Sequence, residues 1–209
     1  VYEGYGLTET SPVVSLNTGY KDDAGRKLGY IGVVAPSTEI KVVNNEGESL
    51  ACNEEGELCV RGPQVMQGYW QQPEKTSEVL SDDGWFATGD IAFVDEQGFP
   101  KIVDRKKDMI IVSGFNVYPN DVEAALGQHP DISECVVFGL PDQKWGEAVH
   151  AAVELSGEKR VSEAELIDFV KTRLGSIKTP KRIHITDQLP RSPVGKVLRR
   201  EAKTQFKDS

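Results

Sequence analysis

The sequence predicts an α+β protein, with a β-rich first half followed by a smaller α+β region. Residues 1–104 read as short strands separated by turns, whereas residues 105–209 alternate strands with helices. The charge changes at the same place: 7 Lys and Arg face 18 Asp and Glu in residues 1–104, against 17 and 15 in residues 105–209. These observations predict two domains, 1–104 and 105–209, with a boundary near residues 103–107.

The first half is predicted to contain strands joined by tight turns. Residues 38–43 alternate apolar and polar side chains and run into the turn 44–47, Asn-Asn-Glu-Gly. A helix is predicted over residues 73–80, because Pro73 suits the first helical position and Glu74 lies in the first turn. Further strands are predicted at residues 56–62, 86–94 and 99–103.

The second half is predicted to contain three helices among its strands. Ser162 and Glu165 have the spacing of a capping box, and apolar residues follow at helical intervals, so a helix begins after Ser162. Other helices are predicted at residues 120–128 and 197–206. The strands are predicted at residues 109–112, 135–138, 148–155 and 182–185.

Composition narrows the classes of protein. No apolar run reaches the roughly 18 residues that span a bilayer, and the start lacks the basic and apolar segments of a signal peptide. Cys52, Cys59 and Cys135 lack metal-ligand spacing, so we expect small buried thiols in a cytoplasmic protein. The three histidines are scattered and receive no chemical role. The missing initiator Met suggests a piece of a longer chain.

The segment GYGLTET at residues 4–10 is the first candidate for chemistry. Its two glycines would let the backbone approach a flat ligand, on which Tyr5 could stack. Thr8 and Glu9 offer the oxygen ligands that phosphate-bound Mg²⁺ prefers. Read alone, the segment is better explained as a solvent-exposed turn.

Two further segments carry polar residues at turns. In GWFATGD, Asp90 follows a turn glycine and could accept the hydroxyls of a ribose, although an ordinary turn residue is the simpler reading. The run DRKKD, which contains Arg105 and Lys107, lies at the predicted domain boundary. Such a run is usually a solvated linker, but here it could also act as a hinge.

The segment LPRSPVGKVLRRE places four basic residues near the end of the sequence, and residues 178–207 hold 9 Lys and Arg against 2 Asp and Glu. A solvated helix face, a patch for an anionic membrane and a catalytic lysine are the alternatives. Phe206 is the only Phe, Trp or Tyr there, which argues against binding nucleic acid.

Taken together and in this order, the segments resemble the adenylate-forming superfamily, which includes acyl-CoA synthetases, peptide-synthetase adenylation domains and firefly-type luciferases. YGLTE, GELCVRGP, GYW, GWFATGD, DRKKDMIIVSGFNVYP and PRSPVGKVLRRE carry the resemblance. The segment VSGFNVYP follows the acyl-CoA type, most like bacterial long-chain fatty acyl-CoA synthetases. The family's Ser/Thr/Gly-rich phosphate loop and most of its acyl tunnel lie upstream of these motifs. The resemblance therefore implies the β-rich end of the large AMP-binding domain and the whole small mobile C-terminal domain, inactive alone.

The resemblance implies a reaction in two halves. A long-chain fatty acid and ATP give acyl-AMP and pyrophosphate with Mg²⁺ as cofactor, and coenzyme A then gives acyl-CoA and AMP. It implies that Tyr5 lies against the adenine, and that Thr8 and Glu9 serve the phosphates and Mg²⁺. It also implies that Asp90 holds the ribose hydroxyls, with Arg105 beside it.

In the second half, the resemblance implies that Lys196 is the catalytic lysine, bridging the α-phosphate and the carboxylate. Lys107 takes the hinge position, and after domain rotation Ser113 and Gly114 line the pantetheine path. Arg199 and Arg200 are left as helix-surface charges. Another acyl- or aryl-CoA ligase, an acyl-AMP ligase and a non-catalytic membrane-binding module stay open. Acyl chain length and oligomeric state are not determined.

Overall fold

The computed structural model describes residues 3–17, 26–157 and 160–207. The chain divides into two compact units, Val1–Lys106 and Lys107–Ser209. This division falls within the predicted boundary region, residues 103–107, and two residues after the predicted end of the first domain at residue 104. The assignment of the units as the end of a large AMP-binding domain and a mobile C-terminal domain stays a prediction.

The first unit is built from antiparallel strands and one short helix. Among its described residues, three strands form one sheet in the order β1-β2-β3, and four form a second in the order β4-β5-β6-β7. The elements are β1 (Glu3–Gly6), β2 (Val13–Asn17), β3 (Val33–Val34), β4 (Glu39–Val43), β5 (Gly56–Arg61), α1 (Pro73–Val79), β6 (Phe86–Val94) and β7 (Pro100–Arg105).

The core of the first unit contains side chains from both sheets. Val14 of β2 is fully buried and packs with Leu58 and Val60 of β5, and with Ala92 of β6. Because each strand turns alternate residues to one face, these positions form a continuous apolar layer. Tyr5 packs at the edge of this layer, which positions its ring at the end of β1.

The described residues of the second unit form a mixed sheet and three helices. The sheet order is β10-β11-β8-β9, and β12 pairs in parallel with β11. The elements are β8 (Ile110–Val112), β9 (Phe115–Val117), α2 (Pro119–Leu126), β10 (Ile132–Asp142), β11 (Gly146–Leu155), α3 (Glu163–Leu174), β12 (Arg182–Ile185) and α4 (Arg199–Gln205).

Alternating residues of β10 build two cores in this unit. Val137 packs with residues of α2 and α3, whereas Val136 and Phe138 pack with Ala202 and Phe206 at the end of the chain. Successive side chains of a strand point to opposite faces, so the helices α2 and α3 cover one face and α4 the other. Fully burying such side chains stabilises each by roughly 1.5–3 kcal/mol.

The α+β class is confirmed, and so is the capping box of α3. Ser162 Oγ accepts a hydrogen bond from the Glu165 amide at 3.3 Å, and Glu165 accepts one from the Ser162 amide at 2.8 Å. No helix of the described residues has the length and apolarity to cross a membrane.

Several local predictions were wrong. The segment GYGLTET is not a plain turn, because β1 occupies its first part and a 3₁₀ turn at Thr8–Thr10 the rest. Strands β2, β3 and β9 were not predicted, since they are short and lack clear alternation. Helix α4 begins at Arg199, two residues later than predicted. Cys52 is exposed, although a buried thiol was expected there.

Candidate functional site

Three predicted site residues meet in the first unit. The Tyr5 hydroxyl donates a hydrogen bond to Asp90 Oδ2 at 2.6 Å, across 85 residues of sequence. Asp90 and Arg105 are register partners on β6 and β7, and Arg105 Nε lies 3.5 Å from Asp90 Oδ1. The sheet pairing thus places one carboxylate between a phenol and a guanidinium.

The three groups differ in burial, and burial affects the protonation of Tyr5. Asp90 is buried, whereas the Arg105 side chain is largely exposed. Burial and the hydrogen bond to Asp90 raise the pKa of Tyr5 far above its ordinary value, so its hydroxyl stays a donor. A carboxylate held in this way can accept hydrogen bonds from the hydroxyl groups of a ligand that binds beside Arg105.

Thr8 and Glu9 lie on the 3₁₀ turn that follows β1. Thr8 is exposed, and Glu9 Oε1 accepts a hydrogen bond from the Tyr69 hydroxyl at 3.0 Å. The backbone adds a second connection, because the Met66 amide donates to the Glu9 carbonyl at 2.8 Å. Tyr69 is held in turn by its own amide, which donates to Thr76 Oγ1 at 2.9 Å.

This donor set fits a magnesium ion. Glu9 Oε2 has no hydrogen bond among the described residues, and the adjacent Thr8 hydroxyl is exposed, so hard oxygen atoms are available. The described residues contain no group of three or more His, Cys, Asp or Glu that could hold a metal by itself. Magnesium is commonly held by one or two carboxylates and by substrate phosphates, which matches a single Glu.

Ser113 and Gly114 form the two-residue connection between β8 and β9. Val112 pairs with Phe115 across the turn, and both connecting residues have positive φ, 50° at Ser113 and 84° at Gly114. Two successive positive φ values are typical of a type I′ hairpin turn, which favours glycine at its second position. A Cβ atom added at Gly114 would meet no atom of the described residues within 4 Å, so the backbone geometry explains the glycine here.

A cleft of about 430 Å³ opens beside this turn in the second unit. Ser113, Phe115, Trp145, Ile177 and Lys181 are among the residues that line it, and most of the lining is apolar. The Ser113 amide donates to the Trp145 carbonyl at 2.8 Å, which fixes the turn against the cleft wall. No sequence motif indicated this cleft, because its walls come from three separate segments.

Lys196 lies at the tip of a tight loop before α4. Gly195 has φ of 85°, and its amide donates to the Ser192 carbonyl at 2.8 Å. The Lys196 side chain is exposed, and its Nζ makes no hydrogen bond or ion pair with any described residue. The loop therefore presents an uncompensated cation to solvent.

The surrounding basic segment is mostly neutralised. Five of its nine cationic residues pair with carboxylates, which leaves fewer charges for a membrane or nucleic acid than the sequence suggested. The pairs are Lys178–Asp121, Lys181–Asp142, Arg182–Glu163, Arg191 with Glu134 and Glu154, and Arg199 with Asp108 and Glu123. Arg199 was wrongly predicted as a helix-surface charge, since its side chain is only 23% exposed.

Lys107 is the first residue of the second unit and lies in a 3₁₀ turn over Lys106–Asp108. Its side chain is exposed. The structure thus brings together Tyr5, Asp90 and Arg105 in one unit. Lys107, Lys196 and the Ser113–Gly114 turn belong to the other unit, and their joint action stays a prediction.

Two family models match the chain. One described as AMP-binding enzyme matches residues 1–70, and one described as AMP-binding enzyme C-terminal domain matches residues 121–196. Together they cover more than half of the sequence. The chain belongs to the AMP-binding enzyme family.

Relatives within the AMP-binding family support this assignment. A long-chain-fatty-acid–CoA ligase of Escherichia coli O157:H7 is 48% identical over 203 residues, which cover 97% of this chain and 35% of that protein. A feruloyl-CoA synthase of Amycolatopsis is 42% identical, over 98% of this chain and 41% of that protein. The chain therefore spans about a third to two fifths of these relatives.

A solved structure of the AMP-binding family has the same fold. ATP-bound MatB from Rhodopseudomonas palustris superposes with a TM-score of 0.91 at 35% identity, covering 100% of this chain and 41% of that one. This similarity extends the family assignment over the full chain, including the residues between the two matched segments.

Proposed function

We propose that the protein containing this chain is an AMP-forming long-chain-fatty-acid–CoA ligase. It would convert a fatty acid, ATP and coenzyme A into acyl-CoA, AMP and pyrophosphate. The 209 residues alone would be inactive, because the phosphate loop expected for the family is not among them. A cytoplasmic location, with or without contact at the inner membrane face, is part of the same proposal.

The observation that carries the nucleotide part is the contact of Tyr5 and Arg105 with one buried carboxylate, Asp90. Tyr5 and Arg105 compensate the buried charge of Asp90. A carboxylate has about four acceptor sites on its two oxygens, so the two hydroxyl groups of a ribose could also donate to Asp90. Because the Tyr5 hydroxyl contacts Asp90, the Tyr5 ring lies close to the ribose position, and the adenine would lie against it.

In the first half-reaction, a carboxylate oxygen of the fatty acid attacks the α-phosphorus of ATP, and pyrophosphate leaves. Lys196 would hold the negative charge that develops on the α-phosphate, with its Nζ between phosphate and carboxylate. Thr8 and Glu9 would hold Mg²⁺, whose charge neutralises the phosphates when it is bound. Catalysis of this kind rests on positioning and electrostatics rather than on covalent intermediates with the protein.

In the second half-reaction, the coenzyme A sulfur attacks the acyl carbon and AMP leaves with the bonding electrons. We infer that the cleft beside the Ser113–Gly114 turn receives part of coenzyme A. The apolar walls suit a pantetheine chain or a base. Lys107 would act as the hinge for a rotation of the second unit. This rotation would remove Lys196 from the reacting groups and bring the Ser113–Gly114 turn to them.

An aryl-CoA ligase is the second candidate. The 42% identity to a feruloyl-CoA synthase over nearly the whole chain supports it. In either case the proposed site residues would contact the nucleotide and the thiol rather than the acyl group, so they do not distinguish a fatty from an aromatic acid.

The experiment is a substrate panel with the full-length protein. AMP release should be fastest, as kcat/KM, with long-chain fatty acids and at least about tenfold slower with medium-chain acids and ferulate. A preference for ferulate would establish the second candidate instead. The purified 209 residues should show no CoA ligation; any ATP-dependent ligation by them would contradict the expected inactivity.

A further inference from the structure

The loop that presents Lys196 is closed by its own hydrogen bonds. Arg191 and Val197 form an isolated antiparallel bridge at its base. Within the loop, the Ser192 amide donates to the Lys196 carbonyl at 2.8 Å, and the Lys196 amide donates to Ser192 Oγ at 3.1 Å. The backbone around Lys196 is therefore a defined turn rather than an open tail.

Arg191 connects this turn to the sheet. Its Nη2 lies 2.9 and 3.0 Å from the two oxygens of Glu154 and 2.5 Å from Glu134 Oε2. Its Nη1 donates to the carbonyl of Gly195, the residue before Lys196, at 3.3 Å. One guanidinium thus contacts two side chains of the sheet and the backbone carbonyl directly before Lys196.

The two carboxylates make this arrangement specific. Glu134 and Glu154 are register partners on β10 and β11, where two like charges face each other and destabilise the strand pair. Arg191 compensates both, and the hydrogen bonds to Glu134 and Glu154 raise its pKa above the ordinary value. Glu154 also accepts a hydrogen bond from the Leu189 amide at 2.6 Å, so it contacts the segment that leads into the loop at two residues.

We propose that Arg191, held by Glu154, is the positioning residue for Lys196. Arg191 does not reach the reacting atoms; it fixes the Gly195 carbonyl, and thereby the direction in which Lys196 leaves the loop. This role rests on the proposed function of Lys196 in acyl-AMP formation. Gly195 has no side chain to hold it in place, so the contact between Arg191 and its carbonyl adds a fixed point directly before Lys196.

The test uses the full-length protein and separates the two half-reactions. Arg191→Gln should slow acyl-AMP formation, measured by pyrophosphate exchange, by about tenfold or more, because a displaced catalytic group loses up to about a hundredfold. Thioester formation from supplied acyl-AMP should stay within about twofold of the parent, and so should the KM for ATP. Glu154→Gln should act in the same direction.

Arg182→Gln is the matched control. Arg182 forms an ion pair with Glu163 in the same unit, at 2.9 Å, and makes no contact with the Lys196 loop. This variant should leave the ratio of the two half-reactions unchanged. If Arg191→Gln does not fold, Arg191→Lys replaces it, since lysine keeps the charge but cannot hold both carboxylates and the carbonyl in one plane.

A second readout does not depend on activity. Endoproteinase Lys-C cuts after lysine, and cleavage after Lys196, followed by mass spectrometry, should accelerate about tenfold in Arg191→Gln but not in Arg182→Gln. Unchanged cleavage, or an equal loss of both half-reactions, would overturn the positioning role. If Lys196→Ala slows both half-reactions equally, the proposed function of Lys196 is contradicted instead. The cleavage rates then still test whether Arg191 holds the loop.

Discussion

The two units present their functional side chains in different ways. In the first unit, Tyr5, Asp90 and Arg105 contact one another directly, and the carboxylate at their centre is buried. In the second unit, Lys196 and the Ser113–Gly114 turn are exposed on tight loops, with no described partner for the Lys196 ammonium. Tyr5, Asp90 and Arg105 are therefore held by one another without a ligand, whereas the Lys196 ammonium is not held by any described residue.

Under the proposed function, this difference would correspond to two kinds of catalytic work. A site that binds the same nucleotide throughout a reaction benefits from fixed contacts, because preorganised groups need no rearrangement. A group that must act in one step and then leave benefits from a free charge on a firmly held loop. The comparison predicts that changes in the first unit affect nucleotide binding, whereas changes in the second affect individual half-reactions.

The largest effect is expected from Lys196→Ala in the full-length protein. Acyl-AMP formation should fall by at least about a hundredfold, since a preorganised charge at the transition state is lost. Thioester formation from supplied acyl-AMP should change less than about threefold. Lys203→Ala, another exposed lysine nearby on α4, is the control. An equal loss of both half-reactions would contradict the proposal that Lys196 acts in only one of them.

Asp90→Asn should act on nucleotide binding instead. The change keeps the shape of the side chain but removes the charge that Arg105 faces, so the KM for ATP should rise about tenfold or more. Tyr5→Phe, which keeps the ring and removes the donor, should raise it about threefold. Asp83→Asn, at an exposed position, serves as the control. An unchanged KM in Asp90→Asn would contradict the ribose role.

Gly114 allows bulk and backbone strain to be separated. Gly114→Leu should slow thioester formation about tenfold and spare pyrophosphate exchange, but leucine also disfavours φ of 84°. Gly114→Asn adds a side chain that tolerates this conformation. If Asn slows the thioester step as Leu does, bulk on the pantetheine path is the cause; a harmless Asn would assign the effect to the turn.

Tyr69→Phe should have a smaller effect that concerns magnesium. Removing the hydroxyl frees Glu9 to change its orientation, so the Mg²⁺ concentration for half-maximal pyrophosphate exchange should rise about threefold. The affinity for Mg²⁺, measured by isothermal titration calorimetry with ATP bound, should weaken by the same factor. Tyr30→Phe, elsewhere in the first unit, provides the comparison. No change in either measurement would remove Tyr69 from the site.

The smallest effect concerns stability. His150 and His184 stack with Phe138 and Phe206 beneath α4, with 3.5 Å between the two histidine nitrogens. Burial, followed by the proximity of His184, lowers the pKa of His150 to about 4. The unfolded chain then binds more protons than the folded one between about pH 6.5 and 4, so stability falls as pH falls through this range.

We expect this group to contribute about 1–2 kcal/mol of pH-dependent unfolding free energy, reduced from the full shift because His150 is only half-buried. His150→Gln should flatten the pH dependence of chemical unfolding in that range. His129→Gln, outside the cluster, should not. An unchanged slope in His150→Gln would contradict the burial argument.

The sequence predicted local structural features more readily than contacts between residues far apart in the chain. It predicted the α3 capping box and the bounds of β6 and β12, because these depend on residues close together in the chain. It missed β1, whose glycines obscure strand alternation, and it missed Tyr69, which reaches Glu9 across 60 residues. A hydroxyl donor at that distance leaves no periodic signal.

The sequence by itself determined the family, the division into two regions and the identity of the residues that carry charge at the motifs. Only the tertiary structure decided which of those charges are available. Arg199 lies three residues from Lys196 but pairs with Asp108 across 91 residues of chain, whereas Lys196 stays unpaired at the tip of its loop. The reason is physical: composition specifies charges, but packing decides which opposite charges come within reach and which remain free to meet a substrate.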